Sequence, residues 1–246
     1  MTIKKTLIEI VKEILSDMDS EDVNSISDSV EAQQVASIVQ STYYNIISTR
    51  DIAHHDRLIK LSAYSDTDYP THYSYADTIK NITTVWYNVG TLAAPEWREI
   101  KFLEPEDFLK RSDSVSEDCQ VVAEPTTGVL LKIQTNAHPF FYTTFDDTNL
   151  VFNSFDNTVE DTLQESKLRV LGSVFPTFTV DDDHTPNLAP QYFPYLIAES
   201  KSMAFDVLKG GTTPKVDQAA RRQKAYVQND KYRTREHFSW PNYGRK

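Results

Sequence analysis

The sequence predicts an α+β protein: a helical bundle formed by the N- and C-terminal helices, an inserted antiparallel β domain, and an extended C-terminal arm. Three observations carry that expectation. Apolar residues recur at three- and four-residue steps near both ends of the chain. Between them lie short β-branched and aromatic runs separated by polar or Pro/Gly-bearing breaks. The last stretch then reverses the charge of everything before it. The expected boundaries are 1–55 and 187–231 for the bundle, 56–186 for the β-rich domain, and 232–246 for the arm.

In the first helix Ile3, Leu7, Ile10, Val11, Ile14, Leu15 and Met18 make one apolar stripe. The polar run from Ser16 to Asp22 ends it. Asp28, with Glu31 three residues on, has capping-box spacing and predicts the start of a second helix. Its stripe is Val35, Ile38, Val39, Thr42, Tyr43, Ile46 and Ile47, so the pair reads as a helical hairpin.

Near His55 the period changes. Residues 58–61, 82–89, 98–102, 129–133, 140–145 and 150–152 read as strands, and Asp146-Asp147-Thr148-Asn149 as the turn of a hairpin. Pro105 with Glu106 and Asp107 suits the first turn of a short helix. Lys167 to Val180 reads as a further strand, broken at Gly172 and Pro176. Helix returns after Pro190, with Phe193, Leu196, Ile197, Ser200, Ala204, Val207 and Leu208 on one face and Gly210-Gly211 as the stop. Thr213-Pro214 looks like an N-cap and first helical residue for a weakly amphipathic last helix.

Charge narrows the partners. Residues 219–246 hold eight Lys/Arg against Asp230 and Glu236, a net of +6 in a chain of net charge −11. The preceding 218 residues therefore carry −17. An acidic body repels nucleic-acid backbone and anionic membrane. Tyr226, Tyr232, His237, Phe238, Trp240 and Tyr243 interleave the cations. Rings among arginines are the anchors of protein interfaces, so a protein partner is favoured over nucleic acid. A single Cys119 rules out an intrachain disulfide framework and fits a reducing compartment. No secretion signal and no membrane span is expected.

Chemistry-bearing clusters are few. Asp181-Asp182-Asp183-His184 is the densest set of metal-ligand types, but consecutive residues in an extended loop diverge, and a solvated acidic loop is the better reading. His54-His55-Asp56 reads as a helix-terminal polar turn rather than an oriented general base. Trp86, Tyr87 and Trp97 read as strand packing in preference to a sugar platform. With no nucleophile elbow, phosphate loop or GxGxxG, no catalytic, cofactor-binding or metal-binding residue is assigned.

The stretch Leu7–Tyr44, "LIEIVKEILSDMDSEDVNSISDSVEAQQVASIVQSTYY", resembles the start of the tail tubular protein A family, the head-to-tail adaptors (connectors, gatekeepers) of short-tailed bacteriophages. The hallmarks are an apolar helix, an acidic-serine loop, "VNSI", and "DSVEAQQVA" leading to Tyr43-Tyr44. "YFPYLIAESKSMAFDVLKG" at 192–210, Arg221-Arg222-Gln223, and "NYGR" at 242–245 agree in order. The resemblance covers both ends, roughly half of the chain, and leaves the β middle unaligned.

What the resemblance implies is a virion structural protein and not an enzyme. The subunit would belong to a ring, commonly a dodecamer, that joins the portal protein to the tail nozzle protein. Genomic DNA would pass through the enclosed channel without specific binding, and no cofactor or membrane would be involved. Assembly would take place in the host cytoplasm, and the mature location would be the head–tail junction of the virion. Portal docking falls to Arg221, Arg222, Tyr232, Arg233, Arg235, Phe238, Trp240, Tyr243 and Arg245. The alternative is a tail-associated carbohydrate-binding or carbohydrate-degrading protein.

Overall fold

The computed structural model describes residues 4–50, 52–91, 93–115, 118–212 and 214–228. In chain order the elements begin with α1 (Leu7–Asp17), α2 (Val30–Thr49), β1 (Asp56–Ile59), β2 (Ser62–Ala63), β3 (His72–Ser74), β4 (Ile79–Asn88) and β5 (Trp97–Phe102). They continue with α3 (Pro105–Ser114), β6 (Cys119–Ala123), β7 (Leu130–Gln134), β8 (Phe141–Thr143), β9 (Asn149–Phe152), β10 (Leu168–Val174), α4 (Phe193–Lys209) and α5 (Pro214–Gln228). The chain is thus mixed α+β, with five α-helices and a large curled sheet among the described residues. It divides into a helical unit, made of the residues up to His54 and those from Pro176 onward, and a β unit, His55–Phe175.

In the helical unit α1 opens with a full capping box: Glu9 N–H donates to Thr6 Oγ1, and Thr6 N–H donates to Glu9 Oε2. Its predicted stripe is buried from Leu7 to Met18 (Ile3 lies outside the described residues). At α2 the predicted cap shifts. Ser29, not Asp28, accepts from Ala32 N–H at 3.0 Å. Asp28 instead closes the preceding 3-10 turn by accepting from Ser25 N–H, and Glu31 accepts from Ser20 Oγ. The reason is local: Ser29 is the residue with extended backbone, so only its side chain can fold back over the first turn. α4 stops at Gly210, whose φ of 72° suits a residue without Cβ. Val207, predicted on the buried face of α4, is 65% exposed.

Residues 176–186, which the sequence places in the β domain, belong to the helical unit. The Phe178 ring lies 5.1 Å from Tyr43 and its N–H donates to Tyr44 Oη. Leu7 N–H donates to His184 O at 2.7 Å, Ile8 N–H to Asp182 O, and Ile26 N–H to Asp182 Oδ1 at 2.8 Å. Helix starts leave N–H groups without intrahelical acceptors. The supposed solvated acidic loop supplies them, and the strand predicted to Val180 ends at Val174 instead.

In the β unit the sheet order is β1-β10-β4-β5-β8-β9-β3-β2, antiparallel except for the β5–β8 pair. Its two edge strands are consecutive in sequence: only Lys60 and Leu61 separate β1 from β2. A flat sheet of eight strands would part its edges by roughly 34 Å, whereas the connector spans about 11 Å at most. The sheet therefore curls back on itself, with Tyr73, Val85, Tyr87, Tyr142, Phe152 and Val170 among the core side chains. Gly172 sits at a register shift between β10 and β4, where a Cβ would come within 2.2 Å of Asn81 O. β6 and β7 form a separate hairpin. α3 packs on β7 and β8, and Phe108 meets Phe145 edge-on. β2, β3 and β6 carry no sequence signal strong enough to predict them; two are only two or three residues long.

Candidate functional site

α1, α4 and α5 frame a groove of about 560 Å³ in the helical unit. Phe193, Pro194 and Ile197 on α4, with Val216 and Ala219 on α5, give it an apolar floor, and Lys5, Lys201 and Lys215 a cationic rim. Lys5 pairs with Glu13 at 2.5 Å, and Lys201 pairs with Asp17.

Two contacts fix α5 beside α4. Ser202 Oγ donates to Asp217 Oδ1 at 2.8 Å, and Thr212 Oγ1 to Asp217 Oδ2 at 2.9 Å. The Ser202 and Thr212 hydrogen bonds, with the nearby Arg221 charge, hold the Asp217 carboxyl below its usual range. Ala220 and Val227 are the buried apolar side chains of α5. Lys215, Val216, Ala219 and Gln223 recur at helical spacing along the groove, which leaves Arg221 and Arg222 exposed on the same helix.

Of the predicted docking residues, Arg221 and Arg222 are exposed on α5 but do not line the groove: Arg222 flanks the lining positions, and Arg221 falls on the far side of the helix. Tyr232, Arg233, Arg235, Phe238, Trp240, Tyr243 and Arg245, and the whole predicted arm 232–246, lie outside the described residues, as does the predicted cap Thr213. Phe193 and Ile197 are predicted on the apolar face of α4, but the groove they line is not visible in the sequence. Ile197 had been assigned to the buried stripe of α4, yet it is half-buried and lines the groove. The 215, 216, 219, 223 spacing on a helix otherwise poor in apolar residues was the available signal.

The other clusters separate. His54 Nε2 lies 3.1 Å from Asn187 Oδ1, a contact that ties down a helix-terminal turn. Strand alternation parts the three rings of the possible sugar platform: Tyr87 enters the core, while Trp86 and Trp97 lie on the other face. The Arg169 guanidinium covers Trp97, 3.7 Å from its ring centroid. Among the described residues no group of three or more His, Cys, Asp or Glu could hold a metal ion, and no helix is long and apolar enough to cross a membrane. Compared with known proteins, the chain matches no protein-family model and no curated protein.

Proposed function

We propose that this chain is a subunit of the head-to-tail adaptor ring of a short-tailed bacteriophage, a virion structural protein that joins the portal to the tail nozzle. On this reading the helices from the two chain ends form a bundle that packs laterally in a dodecameric ring. The antiparallel β domain is inserted into that bundle and turned to the nozzle, and residues 232–246 form an extended arm. The observation that carries the proposal is the ordered likeness of both chain ends to adaptor sequences, combined with the charge reversal at the C-terminus.

A groove along α5, the helix that also carries Arg221 and Arg222, supports a docking role. Its apolar floor favours a partner surface that is apolar at its centre; of the rim lysines, Lys5 and Lys201 are paired with Glu13 and Asp17, which leaves Lys215 to meet an acidic group at the edge. Acidic residues facing the channel would keep duplex DNA from adhering during passage. The proposed subunit needs no cofactor and no membrane anchor. The carbohydrate alternative has less behind it, because Tyr87 is core and Trp97 is stacked under Arg169.

The test is a binding assay against the portal ring of the phage that carries this chain. Deletion of 232–246 should leave a folded protein that no longer binds, and R221E/R222E should weaken binding at least about tenfold. Unimpaired portal binding by the deletion would overturn the docking role. Electron microscopy of portal mixed with the intact protein should show a ring of added density.

A further inference from the structure

The outer face of α2 is out of keeping with the rest of the chain. Of its twenty residues only Glu31 is charged, against five of fifteen in α5 and four of eleven in α1. Glu31 is half-buried and accepts from Ser20 Oγ at 2.8 Å, so every exposed position of the helix is uncharged. A helix that faces only water normally carries its charges on the exposed side. Here that side holds Gln33, Gln34, Ser37, Ser41, Tyr44 and Asn45 instead. Beside it, α2 and α4 frame a hollow of about 380 Å³ that includes Val30, Ile38 and Val207 in its lining. The face is open in the chain itself: Val30 is 71% exposed, Val207 65% and Tyr44 39%.

We propose that this face is where two copies of the chain meet, α2 against α2 about a two-fold axis. Charge chooses the occupant. A chain of net charge −11 repels its own copy, so two copies meet at least cost through a surface without charge. A basic partner, the chain's own C-terminal stretch included, would instead be drawn to acids, which the face lacks. Shape agrees. An antiparallel pair centred on Val39 sets Ser37 level with Ser41 and Gln34 level with Tyr44. Each Tyr44 ring then lies over the other copy's hollow. The Gln33 amide, which both donates and accepts, lies level with Asn45. Antiparallel helices also place the N-terminal end of each dipole beside the C-terminal end of the other. A contact along one helix, roughly 30 Å long, is below standard interface size and makes a weak pair. It is isologous, so it closes a pair and cannot propagate a ring; it goes beyond the adaptor reading and does not rest on it.

The experiment is sedimentation velocity on the full chain up to about 300 µM. A monomer–dimer equilibrium is expected, and it should strengthen as salt rises and screens the like net charges. Ser37→Glu and Ser37→Lys each place like charges across the two-fold, and each should weaken the dimer at least about tenfold. Mixing the two variants should restore it, because only a face that meets itself brings position 37 of one copy near position 37 of the other. Val121→Glu adds the same charge at an exposed site in the β unit and should leave the dimer intact. The proposal is overturned if the chain stays monomeric throughout, if added salt breaks the dimer, if Val121→Glu acts like Ser37→Glu, or if the mixture fails to recover. Loss of portal binding by Ser37→Glu with a monomeric free chain would give the face to the portal instead. The other readouts need no portal, so they are scored apart from the adaptor reading.

Discussion

In the helical unit the fully buried side chains are dominated by Leu, Ile, Val and Ala, set at helical spacing on α1 and α2, while the β unit closes its core with the rings of Tyr73, Tyr87, Phe108, Tyr142, Phe152 and Phe155. The units also differ in how they treat polar groups. The helical unit spends its acidic loop on helix starts, as Asp182 and His184 do for α1. The β unit encloses His72, 1% exposed, with neither ring nitrogen bonded among the described residues. Helices satisfy their backbone internally, so a helical core needs only apolar stripes. A curled sheet must turn corners and hide side chains from loops that arrive from distant sequence positions, and here it leaves a buried histidine. The helical unit too has buried polar atoms without a hydrogen-bond partner among the described residues, Tyr43 Oη, His184 Nε2 and Ser200 Oγ, but His72 is the histidine that burial lowers furthest.

The largest expected effect tests the ring core. Phe152 is fully buried against Tyr73 and Tyr142, with ring centroids 5.3 and 5.8 Å away. Phe152→Ala should cost about 3–5 kcal/mol in denaturant unfolding followed by tryptophan fluorescence. Two of the three tryptophans, Trp86 and Trp97, lie in the β unit, so in a W240F background the signal reports on it. A loss under about 1 kcal/mol would mean that the rings are not a packed core.

Acid should come next, again through the β unit. Burial pushes His72 down to about 4 despite the nearby carboxylates of Glu124 and Asp146, and the rings of Tyr64 and Tyr69 flank it. An unfolded histidine titrates near 6.5. Below that pH the unfolded chain binds the extra proton, so stability falls as pH drops from about 6.5 to 4, by about 3 kcal/mol in all. His72→Phe should flatten that slope when unfolding is measured across the same window; an unchanged slope would assign it elsewhere. Burial raises the Asp146 carboxyl, but hydrogen bonds from Thr148 and Asn149 outweigh it and hold the group below its usual range. Its contribution is therefore lost only at lower pH, which separates the two.

A smaller effect sharpens the account of the corner. Gly172→Ala places a methyl against Asn81 O and Ile59 Cδ1, so the β10–β4 pair must shift, at about 1–3 kcal/mol. Thermal unfolding of the variant checks it. The smallest effect belongs to the helical unit: Ser29→Ala removes the cap of α2 and should cost about 1 kcal/mol. The matching Asp28→Ala would act on the 3-10 turn instead, visible as faster amide exchange at Asn24 and Ser25, whose N–H groups lose their acceptor.

Much of the fold was legible. Periodicity placed α1, α2 and α4, proline and cap signals placed α3 and α5, and all seven predicted runs contain strands, because each signal lies within a few residues of itself. The misses share a cause. His72–Ser74 and Ser62–Ala63 become strands only because β9 and β3 lie alongside them. Asp182 reads as solvated until the start of α1 and the turn at Ile26 are brought to it. On the candidate site, Arg221 and Arg222 were legible as cations on a poorly amphipathic helix. The groove along the same helix was not, since it needs the start of the chain to be brought to the α4–α5 pair.

By itself, then, the sequence determined where helix gives way to strand, the charge reversal over its last 28 residues, and the ring-and-cation character of that end. Those are local or compositional properties, carried by neighbours along the chain. The tertiary structure alone decided that residues 176–186 serve the helices, that an eight-stranded sheet curls until β1 and β2 are adjacent, and that β5 leaves β4 after Ile100 to pair with β8. Each depends on pairings between residues far apart in sequence, whose partners are chosen by closing backbone hydrogen bonds and burying rings together, and no local pattern encodes that choice.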